Sequence, residues 1–223
     1  MEFVPAAKFF ESLADDERVF LLVRHGERRH ITPEDPDFGA HVGLTERGRE
    51  QALSLGKCIP AEGDMSFFSS PVGRCVETAL NIGVGRGVEN PRIEKLDCLA
   101  EYFVQDYDEY TKVLRAGFYE GICEWLKNEA AGKPRGDKEA FAPLPARSEE
   151  MLAMMLEKGD ARFNIFATHD AWVVPCLTHF CKMTFTPQRW MNYLTGMAVV
   201  TDAQKNVKRI VPITALDSGW LEF

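Results

Sequence analysis

Apolar runs of strand length alternate along this chain with stretches in which apolar residues recur every three or four positions. The run 19–23, Val-Phe-Leu-Leu-Val, is wholly apolar and rich in β-branched and aromatic residues, as is typical of a strand buried on both faces of a sheet. From Tyr107 to Lys127 the apolar spacing is helical instead. Alternation of the two patterns predicts an α/β fold, a three-layer α/β/α sandwich whose central sheet is mainly parallel.

The spacing of apolar residues, together with residues that begin or end helices, predicts the remaining elements and their limits. Thr45 is a suitable N-cap for a helix that ends near Lys57, and Ser148 for one that ends near Lys158. Another helix is expected from Val72 to Ile82, closed by Gly83 and Gly85, and a last one from near Trp172. Further strands are expected at 65–68, 92–96, 162–168, 197–201 and 207–213.

The segment 130–146 is rich in glycine, proline and charge, which predicts a loop. We therefore expect one domain over residues 1–223, with a helical and loop lobe at about 100–147.

Composition narrows the classes of partner. A net charge of −8 argues against general electrostatic attraction to nucleic acid or to an anionic membrane, so an anionic ligand would need a local basic pocket. No apolar run approaches the roughly 18 residues of a membrane span. The acidic first 18 residues do not fit a signal peptide. These features leave the oligomeric state open.

The six cysteines form no C-x-x-C pair and no Cys/His cluster with zinc spacing. We therefore expect no bound metal and no cofactor. Cysteines that lie in apolar or helical stretches are typical of a reducing setting, so the expected location is cytoplasmic.

Chemically useful residues follow three of the predicted strands. Arg24-His25-Gly26-Glu27-Arg28 follows the first, Ser69-Ser70-Pro71 with Arg74 follows the second, and His169-Asp170 follows the strand at 162–168. Because the carboxyl ends of parallel strands lie at one edge of a sheet, these groups can converge although they are far apart in sequence. Gly26 lets the backbone turn tightly beside the histidine.

Such a convergence suits phosphoryl chemistry. The transferring phosphoryl group keeps its charge on three equatorial oxygens, and arginine forks match those oxygens without a metal ion. A neutral imidazole nitrogen can attack phosphorus in line, provided that the other ring nitrogen has a partner such as a backbone carbonyl.

At these residues the chain resembles the histidine phosphatase superfamily, which includes cofactor-dependent phosphoglycerate mutases and histidine acid phosphatases. Leu22-Val23-Arg24-His25-Gly26-Glu27 resembles the opening signature of the family, and Thr168-His169-Asp170 its late histidine motif. Between them, Leu44-Thr45-Glu46-Arg47-Gly48-Arg49-Glu50-Gln51-Ala52 and Ser69-Ser70-Pro71-Val72-Gly73-Arg74-Cys75-Val76-Glu77-Thr78-Ala79 are similar to two further segments, in family order.

The resemblance implies that His25 is the nucleophile that becomes phosphohistidine, and that Arg24, Arg74 and His169 bind the phosphoryl oxygens. Arg28 stands where the acid-phosphatase branch carries a further phosphate-binding arginine. His30 departs from that branch, where a proline is usual, and the short length is closer to the mutase-type branch.

Two carboxylates are candidates for the acid that protonates the leaving alkoxide. Asp170 follows the late histidine, as in the acid-phosphatase branch, and we favour it slightly; as a donor it would have a raised pKa. Glu101 lies at the distance after Arg74 where the mutase-type branch places its acidic residue. Neither needs a catalytic role, because Asp170 could cap the following helix and Glu101 could be a solvated carboxylate at a helix start.

Three functions remain open at this point. The first is a metal-independent phosphatase acting on a small phosphomonoester through a phosphohistidine. The second is a phosphomutase of the phosphoglycerate mutase type, for which the lobe would have to supply extra basic groups. The third is a catalytically inactive phosphoester-binding protein, against which the full set of pocket residues argues. Substrate choice would depend on the segments 29–43 and 107–146.

Overall fold

The computed structural model describes residues 2–32 and 35–222, so Pro33 and Glu34 of the segment 29–43, on which substrate choice would depend, lie outside the described residues. The chain alternates strands and helices, with short 3₁₀ helices at Pro36–Gly39 and Asp97–Ala100. Its elements are β1 (Val4–Pro5), α1 (Ala6–Glu11), β2 (Arg18–Arg24), α2 (Glu46–Cys58), β3 (Met65–Ser69), α3 (Gly73–Gly85), β4 (Ile93–Lys95), α4 (Tyr107–Ala116), α5 (Phe118–Ala130), α6 (Leu144–Lys158), β5 (Phe163–Thr168), α7 (Asp170–Cys181), β6 (Arg189–Met191), β7 (Thr195–Thr201), β8 (Val207–Thr214) and β9 (Trp220–Glu222).

The central sheet has seven strands in the order β1-β8-β7-β2-β5-β3-β4. Strands β2, β5, β3 and β4 pair in parallel, and β7 runs antiparallel to both of its neighbours. β6 and β9 form a separate two-stranded antiparallel sheet. The prediction of a mainly parallel sheet is confirmed. The order of the strands places β2 and β5, whose ends carry the two histidine motifs, side by side near the centre of the sheet.

Helices cover both faces of the sheet, because successive side chains of a strand point to opposite sides. Val19, Leu21 and Val23 of β2 belong to one apolar cluster, with residues of α1, α2 and α3. Phe20 and Leu22 belong to the other, with residues of α5, α6 and α7 and partly buried residues of α4. Burial of β2 on both faces explains its uninterrupted apolar sequence, and the three predicted layers are confirmed.

The short elements β1, α1, β6 and β9 are not predicted by the sequence pattern, and three predicted helices have other limits in the structure. The helix over 107–127 is two helices, because Gly117 takes a φ of 149° and starts a new turn at Phe118. The helix expected from Ser148 begins at Leu144, with Pro145 in its first turn, where a proline costs no hydrogen bond. α3 continues through Gly83 to Gly85, because both glycines pack closely against neighbouring residues rather than ending the helix.

The lobe helices α4 and α5 pack on the sheet rather than standing apart from it. Ile122, Trp125 and Leu126 of α5 are buried in the same apolar cluster as Phe20 and Leu22 of β2.

Among the described residues no helix is long and apolar enough to cross a membrane. All six cysteines are free thiols.

Candidate active site

His25 follows the last residue of β2 and is fixed there by the contacts of the next turn. The backbone N–H of Gly26 donates to Thr78 Oγ1 of α3 at 3.0 Å. A Cβ atom on Gly26 would approach the carbonyl oxygen of Gly48 to 2.6 Å, and one on Gly48 would approach the carbonyl oxygen of Glu27 to 2.2 Å. Gly26 is therefore needed for close approach of two backbones, since its φ is not positive.

The hydrogen bonds of His25 leave one ring nitrogen available for chemistry. Nδ1 lies 2.8 Å from the carbonyl oxygen of Gly26, and a carbonyl only accepts, so Nδ1 carries the proton. Nε2 is then unprotonated and accepts from Arg74 Nε at 3.2 Å. Burial, together with the charges of Arg74, His169 and Arg24, lowers the pKa of His25 well below its ordinary value. The buried imidazole is thus neutral, with Nε2 facing a cation.

Arg74 joins the two histidines of the site. Besides its bond to His25, its Nη1 donates to the carbonyl oxygen of Gly39 at 2.9 Å, and its Nη2 lies 3.5 Å from His169 Nδ1. Its position on the first turn of α3, after Ser70-Pro71 at the end of β3, brings the guanidinium over the ends of β2 and β5.

His169 follows the end of β5, and its ring centroid lies 5.6 Å from that of His25. Ser70 Oγ lies 3.1 Å from its Nε2. Burial and the charge of Arg74 lower its pKa, so this imidazole is neutral as well. The structure therefore brings the two motif histidines close enough to contact one phosphoryl group.

Arg24 is the most enclosed cation of the site, with 1% of its surface exposed. Its Nη2 lies 3.1 Å from Asp170 Oδ2, its Nη1 donates to the carbonyl oxygen of Met191, and its guanidinium lies 4.2 Å from the centroid of the Tyr193 ring. Its Nε has no acceptor among the described residues. A buried, unused donor of this kind is costly unless a ligand accepts from it.

Arg28 lies at the rim of the site and is half-buried. Its positive charge contributes to the lowered pKa values of Arg74 and His169. Its Nε, like that of Arg24, is buried without an acceptor among the described residues. The two orphan N–H groups indicate a place for an anion.

Asp170 is bound on both carboxylate oxygens, which does not fit the expectation of a raised pKa. Oδ2 accepts from Trp190 Nε1 at 2.9 Å in addition to Arg24, and Oδ1 accepts from its neighbour's backbone N–H. Burial raises the pKa of Asp170, but the charge of Arg24 and the Trp190 hydrogen bond outweigh it, and the pKa lies below its usual range. The expected raised pKa is wrong, and so is the N-cap alternative, because His169 is the N-cap of α7.

Glu101 lies after the 3₁₀ helix Asp97–Ala100 and is exposed. Its carboxylate has no hydrogen bond or ion pair with any residue in the described part of the chain. Burial raises the pKa of Tyr110, and the charges of Glu101 and Asp170 raise it further. Glu101 lines an open cavity together with Tyr102 and Arg147, and no ion pair with a described residue holds its carboxylate.

Sequence reasoning missed several groups that hold the arginines in place. Trp190, Tyr193 and the carbonyl groups of Met191 and Gly39 all contact Arg24, Asp170 or Arg74. Backbone carbonyls carry no side-chain signal, and Trp190 lies in the mixed segment Gln188-Arg189-Trp190-Met191-Asn192, which has no periodic pattern. No sequence signal could have identified these groups.

Comparison with known proteins agrees with this geometry. The family model for the histidine phosphatase superfamily (branch 1) matches residues 20–212. An acid phosphatase of Mycobacterium tuberculosis is 29% identical over 174 residues, which cover 77% of this chain and 75% of the relative. Among solved structures, the Bacillus stearothermophilus protein YhfR has a TM-score of 0.56 at 20% identity and covers 91% of this chain and 98% of its own.

A mycobacterial glucosyl-3-phosphoglycerate phosphatase has a TM-score of 0.55 at 17% identity, with 90% of this chain and 100% of that chain covered. At these identities the structural likenesses show a shared fold and no more. The family model, in contrast, spans both histidine motifs and Arg74 between them. The chain therefore belongs to the histidine phosphatase superfamily, branch 1.

Proposed function

We propose that the protein is a phosphatase that hydrolyses a small phosphomonoester through a phosphohistidine on Nε2 of His25. The observation that carries the proposal is the state of that nitrogen. It is unprotonated and it faces the Arg74 guanidinium. Arg24 and Arg28, whose charges act on the neighbouring His169 and Asp170, each have a buried Nε–H without an acceptor among the described residues. A tetrahedral anion there would satisfy the buried donors and bring its phosphorus to the nucleophile.

In the first step Nε2 attacks phosphorus, the N–P bond forms, and the bond from phosphorus to the ester oxygen breaks. Arg24, Arg28 and Arg74 stabilise the charge on the equatorial oxygens, and an N–H of His169 adds a neutral donor. The Arg74 Nε–H, which donates to Nε2 of His25 in the structure, turns to a phosphoryl oxygen instead.

The leaving alkoxide takes its proton from Glu101 in this proposal. Glu101 is exposed and makes no ion pair with any of the described residues, so no guanidinium holds its carboxyl group as one holds that of Asp170. Asp170 is less suited, because its ion pair with Arg24 keeps it ionised. We therefore reverse the slight preference for Asp170 that the sequence gives.

In the second step a water molecule attacks phosphorus and the N–P bond breaks. The Glu101 carboxylate takes a proton from that water, and inorganic phosphate leaves with His25 neutral again. Every proton and bond is accounted for by these residues and water. Across the residues the structure describes, no group of three or more His, Cys, Asp and Glu side chains could hold a metal ion, which favours a metal-independent route.

The charges around the site favour a phosphatase over a mutase. A mutase must retain a bisphosphate, and the lobe would have to supply the cations for the second group. Lys112 and Arg135 of the lobe are instead paired with Glu109 and Glu129. Arg147 pairs with Glu150, and the remaining lobe cations, Arg115, Lys127, Lys133 and Lys138, are exposed.

The expected substrate is therefore a small monoester with one phosphate group. A reducing, cytoplasmic location is part of the same proposal, supported by six cysteines that all remain free thiols.

The test is a panel of phosphomonoesters, including p-nitrophenyl phosphate, assayed with EDTA present. We expect hydrolysis without added metal, and a loss of at least about a thousandfold in His25→Ala, because no other group can form the covalent intermediate. Arg24→Ala and Arg74→Ala should each cost at least about a hundredfold in kcat/KM.

His179→Ala is the matched control, since this histidine lies at the other end of α7 and pairs with Glu149. Activity that EDTA removes and a divalent ion restores would contradict the mechanism. Wild-type rates in folded His25→Ala would show that the nucleophile is another residue.

A further inference from the structure

We propose that Trp190 is a positioning residue of the phosphate pocket, whose indole N–H holds the Asp170 carboxylate in the orientation that aims Arg24 at the phosphoryl oxygens. The inference rests on the proposed function, in that the anion bound by Arg24 is the phosphoryl group. It concerns a contact made by β6, an element outside all of the sequence motifs.

The contact is between one carboxylate oxygen and two donors. Asp170 Oδ2 accepts from Trp190 Nε1 at 2.9 Å and lies 3.1 Å from Arg24 Nη2. The indole is 0% exposed and the Asp170 side chain 11% exposed, so water does not replace this donor readily. A buried carboxylate that shares one oxygen between two donors has little freedom to rotate.

The ring of Trp190 is itself held from two sides. Its centroid lies 4.9 Å from that of Tyr119 and 5.9 Å from that of Phe185. β6 pairs with β9, and the register sets Trp190 opposite Leu221. The indole N–H is therefore a rigid donor, and its hydrogen bond fixes the position of the Asp170 carboxylate.

Arg24 depends on this arrangement for its own orientation. Its Nη1 bonds to the carbonyl of Met191, the next residue after Trp190, and its Nη2 to Asp170. Both terminal nitrogens are bound to β6 or to a carboxylate that β6 fixes, and the buried Nε–H has no acceptor among the described residues. Strand β6 thus determines the direction in which the Nε–H of Arg24 points.

Asp170 must stay ionised for the pair to act. Loss of a hydrogen bond to the ionised form raises the pKa of a carboxyl, so without the Trp190 N–H the group protonates at a higher pH. The other titratable or charged groups that face Asp170 are Arg24 of β2, Arg28 of the following loop, Arg74 and Cys75 of α3, Tyr110 of α4, Tyr119 of α5 and its neighbour His169.

The test compares Trp190→Phe with Trp125→Phe by calorimetric titration with inorganic phosphate. Trp125 is a matched control, because it is buried and its Nε1 has no hydrogen-bond partner among the described residues. We expect Trp190→Phe to weaken phosphate binding about tenfold, the usual scale for a hydrogen bond to a charged group. Trp125→Phe should stay within about twofold of wild type, because it loses packing volume but no hydrogen bond.

Two further readouts separate positioning from a merely structural role. The acidic limb of kcat/KM against pH should move to higher pH in Trp190→Phe and stay in place in Trp125→Phe. In an Asp170→Asn background, Trp190→Phe should cause less than about a twofold further loss of phosphate affinity, because the two residues act as a unit.

If Trp190→Phe does not fold, the indole N–H resonance of Trp190 in ¹⁵N-labelled Asp170→Asn protein gives the same information. We expect it to move relative to wild type, and an unchanged resonance would overturn the proposal. Equal phosphate affinities in the two Trp→Phe variants, or full additivity with Asp170→Asn, would overturn it as well.

Calorimetry does not require turnover, so the two proposals can fail separately. A protein that binds phosphate and shows these differences but hydrolyses no ester would contradict the proposed function and leave the role of Trp190 supported. A wild-type protein that binds no phosphate would contradict both.

Discussion

At the scale of single residues, the pocket carries a charge that matches one ligand. Three guanidinium groups, of Arg24, Arg28 and Arg74, lie around two neutral imidazoles, and Asp170 pairs with the first of them. Among the described residues no carboxylate pairs with Arg28 or Arg74, so two positive charges are left without a partner. A phosphate monoester dianion carries about two negative charges, so it neutralises the pocket when it binds.

The acid can be identified from two variants and two kinds of leaving group. Glu101→Gln should slow alkyl phosphates far more than p-nitrophenyl phosphate, because only a basic alkoxide needs a proton as it leaves. Asp170→Asn should slow both substrates to a similar extent, since it disturbs Arg24 rather than proton transfer. Steady-state kcat/KM for both esters measures the difference. If Asp170→Asn alone shows the leaving-group dependence, the acid is Asp170.

At the scale of elements, the turn after β2 depends on the close contact between Gly26 and Gly48. Gly48 lies in the first turn of α2, where its N–H donates to Thr45 Oγ1, and it faces the backbone of Glu27. Helix α2 therefore sets the path of the chain that carries His25 and Arg28.

Gly48→Ala should destabilise the protein by about 1–3 kcal/mol, because its Cβ would lie 2.2 Å from the Glu27 carbonyl oxygen and the backbone has to move. Phosphate affinity should fall with it. Gly73→Ala is the matched control: no atom lies within 4 Å of the added Cβ, and alanine favours helix, so its stability should be unchanged or higher by up to about 1 kcal/mol. Chemical denaturation of both variants measures the difference.

The strands that carry His25, Ser70 and His169 could be predicted from sequence, because each is a buried apolar run followed by polar residues. Their convergence followed from parallel pairing. The lowered pKa of Asp170 could not be predicted, because it depends on the ion pair with Arg24 and on the hydrogen bond from Trp190. Trp190 lies in a two-stranded sheet that is too short to have a periodic pattern. Nor could the helix break at Gly117, since a single glycine inside a helical pattern is often tolerated.

At the scale of the whole molecule, the sheet has a functional edge and a structural one. Glu17 precedes β2 at the edge opposite the site and pairs through two hydrogen bonds, of 2.5 and 2.8 Å, with Arg209 of β8. Lys208 lies 3.3 Å from the same carboxylate. The Arg209 hydrogen bond holds the pKa of Glu17 at about 2, from an ordinary value of 4.5.

Glu17→Gln should lower the free energy of unfolding at pH 7 by about 1–2 kcal/mol, allowing for the partly exposed Arg209. Because the folded-state pKa is depressed, this stabilisation is present above about pH 4.5 and is lost as pH falls towards 2. The gap between wild type and variant should therefore close over that range in denaturation curves. Asp15→Asn, an exposed carboxylate, should cause no such change, and kcat/KM should be unaffected in both.

The pairing of β6 with β9 has a consequence for synthesis of the protein. A nascent chain that extends only through α7 already contains both histidines, the three arginines and Asp170. It lacks the Met191 carbonyl and the Trp190 indole that orient Arg24, and the strand that carries them finds its partner only in residues 220–222. We therefore expect the pocket to be completed only after β9 has been synthesised, later than all of its charged groups.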